Sequence, residues 1–252
     1  MTSFDQKQVM PASPARRARA IPCVGVMVAA LALLSTAAPA AESRPSFSCS
    51  AARSPVEKTI CRDPRLGALD QRIARAFRSA LQHFDSSTQL ALRADQRLFL
   101  AVRDGRAAGP GSDLAGDLEG RAITLERIDF APRPDWRGRF EGAIGLLEIT
   151  PAANGLFAVK LLTVGARASL PTCDVEVSAK PDGQALIAGT TPAELKENAG
   201  WWLRLSRAGS AVEVKLMISK ASDTGGPPFC GMGGLIDGMY LPVTATATPA
   251  AR

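Results

Sequence analysis

Few residues in this chain have the types and spacing that chemistry needs. Its 252 residues hold five cysteines and a single histidine, His83. One imidazole cannot build a multi-His zinc site or a His-based nucleophilic triad, and no Cys-x-x-Cys pair is present. H-E-x-x-H, G-x-S-x-G, S-x-x-K, the P-loop and G-x-G-x-x-G are all missing from the sequence. No catalytic residue, cofactor or metal ligand is expected, and His83 reads as a solvated or capping residue near a helix end. Asp63 and Asp70 are, by position only, the candidate carboxylates for an acid–base pair in glycan hydrolysis. Asp63 precedes Pro64 and reads better as a helix N-cap, and Asp70 as an ion-pair partner.

Two features read as binding rather than catalysis. Trp201-Trp202 lies in an alternating segment, so one ring faces the core and the other faces outward, where it is either covered or presented to a sugar or protein. A glycine-rich stretch around Cys230 includes Gly231 and Gly233. It is either a long hairpin connection or a presented edge. Trp202, Gly231 and Gly233 are the candidate binding surface.

The first forty residues carry Arg16, Arg17 and Arg19, an apolar run from Ile21 to Leu34, and Ala38-Pro39-Ala40. That pattern predicts a cleaved signal peptide over 1–40, the alternative being an uncleaved signal anchor, and a periplasmic or secreted protein with no stable membrane span after cleavage. The full chain has 30 Lys+Arg against 24 Asp+Glu, a net +6. Without the leader the balance is 26 against 23, shared almost evenly along the chain. No basic domain remains to hold nucleic acid.

Cys49, Cys61, Cys173 and Cys230 survive cleavage, and an even count in an exported chain predicts disulfides. Four cysteines allow three connectivities. Cys49–Cys61 with Cys173–Cys230 is favoured because each bridge then stays within one region. On the chain-entropy model these loops are worth roughly 3 and 4 kcal/mol.

Ser54-Pro55-Val56-Glu57 is a capping box with Pro at the first helical position, opening a short helix that ends near Cys61. Leu66, Leu69, Ile73, Phe77, Leu81 and Phe84 form the stripe of a second helix, and Asp85-Ser86-Ser87 breaks it. A third helix is expected from about Thr88 to Arg103, and a fourth around Leu114 to Ile128. From about Arg139 the period is two, with strands expected at 145–150, 157–164, 173–179, 184–188, 201–206, 212–218 and 238–243. The fold class is therefore α+β. A small disulfide-bonded helical domain (41–130) precedes an antiparallel β-sandwich or small β-barrel (131–252).

Phe47-Ser48-Cys49, Ser54 to Cys61, Asp63-Pro64, Leu66 and Leu69-Asp70 follow a pattern of F-x-C, eleven residues, C, then D-x-x-L-x-x-L-D. Gln96-Arg97-Leu98-Phe99-Leu100-Ala101-Val102-Arg103-Asp104 follows Q-R-x-[WF]-L-x-x-R-D. Over residues 46–128 the chain resembles the LprI-type lysozyme-inhibitor-like family. It departs at Gly105, where family members begin a further run of cysteines. Residues 140–243 resemble, more weakly, the β-rich extension of some members. The resemblance implies an inter-helix clasp of Asp70 with Arg103-Asp104. It also implies an envelope protein that occludes a lysozyme-like glycan hydrolase without catalysis of its own. The alternatives are a structural or scaffold protein of the periplasm, partnered by another envelope protein, and an enzyme acting on cell-wall glycans.

Overall fold

The computed structural model describes residues 44–109, 111–133, 135–164, 172–219, 226–231 and 233–244. The leader expected over 1–40 lies outside them. Residues Ala41–Arg252 make one compact unit.

Among the described residues four α-helices precede the strands: α1 (Pro55–Arg62), α2 (Pro64–His83), α3 (Ser86–Ala107) and α4 (Leu114–Glu126). Local chemistry fixes their starts. Ser54 and Glu57 form the capping box of α1, with Pro55 at its first turn. Asp63 caps α2 by accepting from the Arg65 and Leu66 N–H groups at 2.8 and 3.4 Å. Asp85 caps α3 through Ser87 and Thr88, and Asp113 caps α4 through Gly116. The Cys49–Cys61 bridge ties the leading segment to the last turn of α1.

Eight strands follow: β1 (Gly138–Gly142), β2 (Gly145–Pro151), β3 (Phe157–Val164), β4 (Thr172–Asp182), β5 (Ala185–Ala188), β6 (Trp201–Ala208), β7 (Ala211–Ile218) and β8 (Gly238–Pro242). Each pairs antiparallel with its neighbours in the chain, and β8 closes on β1 through Phe140↔Pro242 and Glu141↔Leu241. The result is a closed up-and-down barrel with no free edge strand. Inward residues fill it: Phe140 opposes Leu147, Leu147 opposes Leu161, and Leu161 opposes Val175. On the far side Leu205 opposes Val214, and Val212 opposes Tyr240. Burial holds the Tyr240 phenol far above its usual pKa, and its hydroxyl donates to the Ile236 carbonyl at 3.1 Å. A short helix, α5 (Pro192–Glu197), with its own Thr191/Glu194 capping box, lies between β5 and β6; the strand-rich period of that region had not predicted it.

This corrects the expected fold class. A helical domain followed by a sandwich or small barrel does not describe the molecule, which is built on a closed eight-stranded barrel with helices packed on its wall. Alternating residues look the same in an open sandwich and a closed barrel, and only the β8–β1 pairing decides between them. The helices also share their core with the barrel. Ala211 and Leu241 are buried among helical residues, while Val102 and Leu98 of α3 pack into the barrel cluster. Helix α3 thus has two buried sides, with Leu92 and Phe99 turned to its neighbouring helices.

The second bridge, Cys173–Cys230, joins β4 to the connection between β7 and β8. Phe229, Leu235 and Ile236 of that connection pack on the barrel core, and the Thr163 hydroxyl donates to the Leu235 carbonyl at 2.6 Å. No helix among the described residues is long and apolar enough to cross a membrane.

Candidate functional site

A cleft of about 330 Å³ opens between the leading segment, α1, α2 and α3. Phe47, Ile73, Phe77 and Leu100 give it apolar walls, and Glu57, Asp70, Gln96 and Arg103 give it polar groups. Each polar group already has a hydrogen-bond partner. Glu57 Oε2 accepts the Arg53 and Ser54 N–H groups at 2.6 and 3.0 Å. Those N–H groups, Ser54 first, hold its carboxyl below the usual range. Asp70 Oδ2 accepts the Ser46 N–H at 2.6 Å. Arg103 is nearly buried and donates from Nε to Asp104 Oδ1 at 2.8 Å, with Nη2 at 2.7 Å from the same oxygen.

The implied clasp of Asp70 with Arg103-Asp104 is therefore corrected. Asp70 holds the backbone of the leading segment, and Arg103 is neutralised by its own neighbour. No ion pair joins Asp70 to Arg103, although both line the cleft. A side chain bonded to the adjacent residue satisfies its charge without crossing between helices.

Gln96 is oriented from behind by residues that the sequence did not single out. Arg121 of α4 donates from Nε and Nη2 to Gln96 Oε1 at 3.0 and 2.8 Å. Its Nη1 meets Asp95 Oδ2 at 2.7 Å. With the carbonyl oxygen of Gln96 taken twice, its amide nitrogen is the end left for the cleft. The signal for Asp95 and Arg121 was present, because each interrupts the apolar stripe of its helix with opposite charge. Asp95 stands among Ala91, Leu92 and Phe99, and Arg121 among Leu118, Ala122 and Leu125.

A smaller cleft of about 170 Å³ lies on the other side of Arg121, where Gly116 and Gly120 of α4 face Gly142 and Ala143. The Arg106–Asp117 ion pair, at 2.8 Å, lies along it.

The residues expected as a binding surface lie elsewhere. Trp202 is on the outward face of β6 opposite Met217, and is half-buried. Trp201 lies opposite Ile218, and its indole Nε1 is buried with no partner among the described residues. Gly231 and Gly233 are exposed on the β7–β8 connection, where the Gly231 N–H donates to the Thr172 carbonyl at 3.1 Å. His83 ends α2, exposed, with Nδ1 2.8 Å from the Ser79 carbonyl and its ring stacked on Phe130. No group of three or more His, Cys, Asp or Glu residues that could hold a metal ion occurs among the described residues.

No family model, no curated protein and no solved structure matches the chain.

Proposed function

We propose that the chain is an exported, non-catalytic binding protein of the LprI type, which attaches to a lysozyme-like glycan hydrolase through the cleft between α1, α2 and α3 and occludes it. The observation that carries this reading is a convergence. Phe47, Asp70, Gln96 and Arg103 come from three separate stretches of the sequence resemblance, and all four line one open cleft. A set of residues kept only for packing has no reason to share an opening to solvent. The two disulfides suit an oxidising compartment such as the periplasm or the exterior.

The Glu57 carboxyl in this cleft is not suited to act as a general acid. A general acid for glycan hydrolysis needs a raised pKa, and this one is lowered by its capping bonds. A scaffold role in the envelope draws on a different observation: Leu162 and Val164 are exposed on the outer wall of β3.

Lysis of cell-wall substrate by lysozyme, followed by turbidity at low salt with the exported protein in excess, tests the proposal. Inhibition is expected, with its loss in Leu100→Arg at the cleft wall. Undiminished lysis at excess overturns it.

A further inference from the structure

We propose that the cleft is a receptor for one lysine or arginine side chain, presented by a protein partner. This rests on the cleft being the contact surface, and it adds the chemistry of what enters.

The unused valences of the lining residues carry the argument. Glu57 spends Oε2 on two backbone N–H groups, and Asp70 spends Oδ2 on one. Glu57 Oε1 and Asp70 Oδ1 accept no hydrogen bond from the described chain. The cation in the lining, Arg103, pairs with Asp104 at 2.7 Å, and its charge also acts on the Glu57 carboxylate. Two carboxylates, each with one oxygen that takes no hydrogen bond from the described chain, therefore line an opening whose apolar walls include Phe47, Ile73, Phe77 and Leu100.

Lysine and arginine fit that combination because they carry an apolar stem and a cationic tip. The stem lies along the rings and aliphatic walls, and the tip reaches the two free carboxylate oxygens. The Gln96 amide nitrogen, turned by Arg121, is positioned to donate to a backbone carbonyl beside the inserted residue. An uncharged side chain of the same length leaves both oxygens without a donor, which is costly once the cleft is covered.

The inference also resolves a conflict in the charge balance. A chain with a net excess of Lys+Arg repels a cationic partner at long range. A local pair of carboxylates acts at contact instead. It anchors the complex through its dissociation rate rather than steering encounter.

The test titrates the exported, oxidised protein, isotope-labelled, with three small probes followed by nuclear magnetic resonance. They are N-acetyl-lysine methylamide, its uncharged analogue N-acetyl-norleucine methylamide, and N-acetylglucosamine. The lysine probe is expected to shift the Gln96 side-chain amide and the backbone amides of Phe77 and Leu100. The norleucine probe should bind about tenfold more weakly. Asp70→Asn keeps an oxygen for the Ser46 N–H and should weaken the lysine probe by a similar factor. Equal binding of lysine and norleucine overturns the proposal, as does preference for the sugar, or no shift at the cleft with any probe. Lysine binding without lysozyme inhibition removes the lysozyme reading and leaves this one standing. Inhibition without lysine binding does the reverse.

Discussion

Arg121 Nη1 lies 2.7 Å from Asp95 Oδ2, and neither side chain is more than 2% exposed. The pair joins three parts of the molecule. Asp95 Oδ1 accepts the Ala143 N–H at 2.6 Å, in the turn between β1 and β2, so α3 is fixed to the barrel. Arg121 brings α4 to the same point, packs its guanidinium 5.2 Å from the Phe99 ring centre, and holds Gln96. The polar centre of the helix–barrel contact is thus also what orients one wall of the cleft.

Removing one member leaves the other charged and buried, so Asp95→Ala should cost about 3–5 kcal/mol in urea unfolding. The double variant Asp95→Leu/Arg121→Met replaces both charges with apolar groups and should recover most of that loss. A single-variant loss below about 1 kcal/mol would show that the pair does not hold the layers together.

Gly142 stands where backbone of two strands and Asp95 meet. A Cβ there would run into the Met239 carbonyl oxygen of β8 and approach Asp95 Oδ1 to 3.2 Å. Gly142→Ala should therefore destabilise by about 1–3 kcal/mol, because strand backbone cannot yield as a flexible side chain can. Gly120→Ala is the control, since a Cβ there meets nothing within 4 Å and improves helix propensity. Its unfolding midpoint should hold or rise.

The two disulfides should differ in worth. Cys49–Cys61 spans 12 residues and Cys173–Cys230 spans 57. The chain-entropy model assigns them roughly 3 and 4 kcal/mol. The second also fastens the β7–β8 connection over the barrel, where Gly234 leaves only 2.5 Å between its Cβ position and Cys173 Sγ. Paired Cys→Ala variants should rank in that order by urea midpoint. A reversed order would show that native-state packing outweighs loop closure.

Elements with a strong local signal were legible in the sequence. The capping box at Ser54, the Asp63 cap and the stripe from Leu66 to Phe84 each depend on residues within a few positions, and each appears in place. The strand alternation was equally local, and 157–164 agrees with β3 to the residue. Barrel closure was not legible, because it depends on β1 meeting β8 about a hundred residues later. Phe47, Asp70, Gln96 and Arg103 were visible as a pattern, but their common cleft was not. Trp202 was legible only as an outward strand residue, because alternation gives the face of a strand and says nothing of what gathers on it.

Stability in acid follows from carboxylates whose pKa is lowered in the folded chain, and three of them are held down by capping and turn hydrogen bonds. Glu57 is held down by the Ser54 and Arg53 N–H groups, and Asp85 by the Thr88 hydroxyl and N–H. Burial raises Glu194, but hydrogen bonds from Thr191 and Ser178 outweigh it. Above the ordinary carboxylate range both folded and unfolded states are ionised, and the full stabilisation is present. As pH falls, the unfolded chain takes up protons first and the stabilisation drains away. The urea midpoint should be flat near neutrality and fall below about pH 4.5. Burial pushes Asp95 the other way, so Asp95 takes no part in the loss in acid. Glu194→Gln isolates one of the three. It should be less stable than the parent at neutral pH and converge with it in acid. A difference that stays constant across the whole range would mean that the Glu194 hydrogen bonds do not depend on its charge.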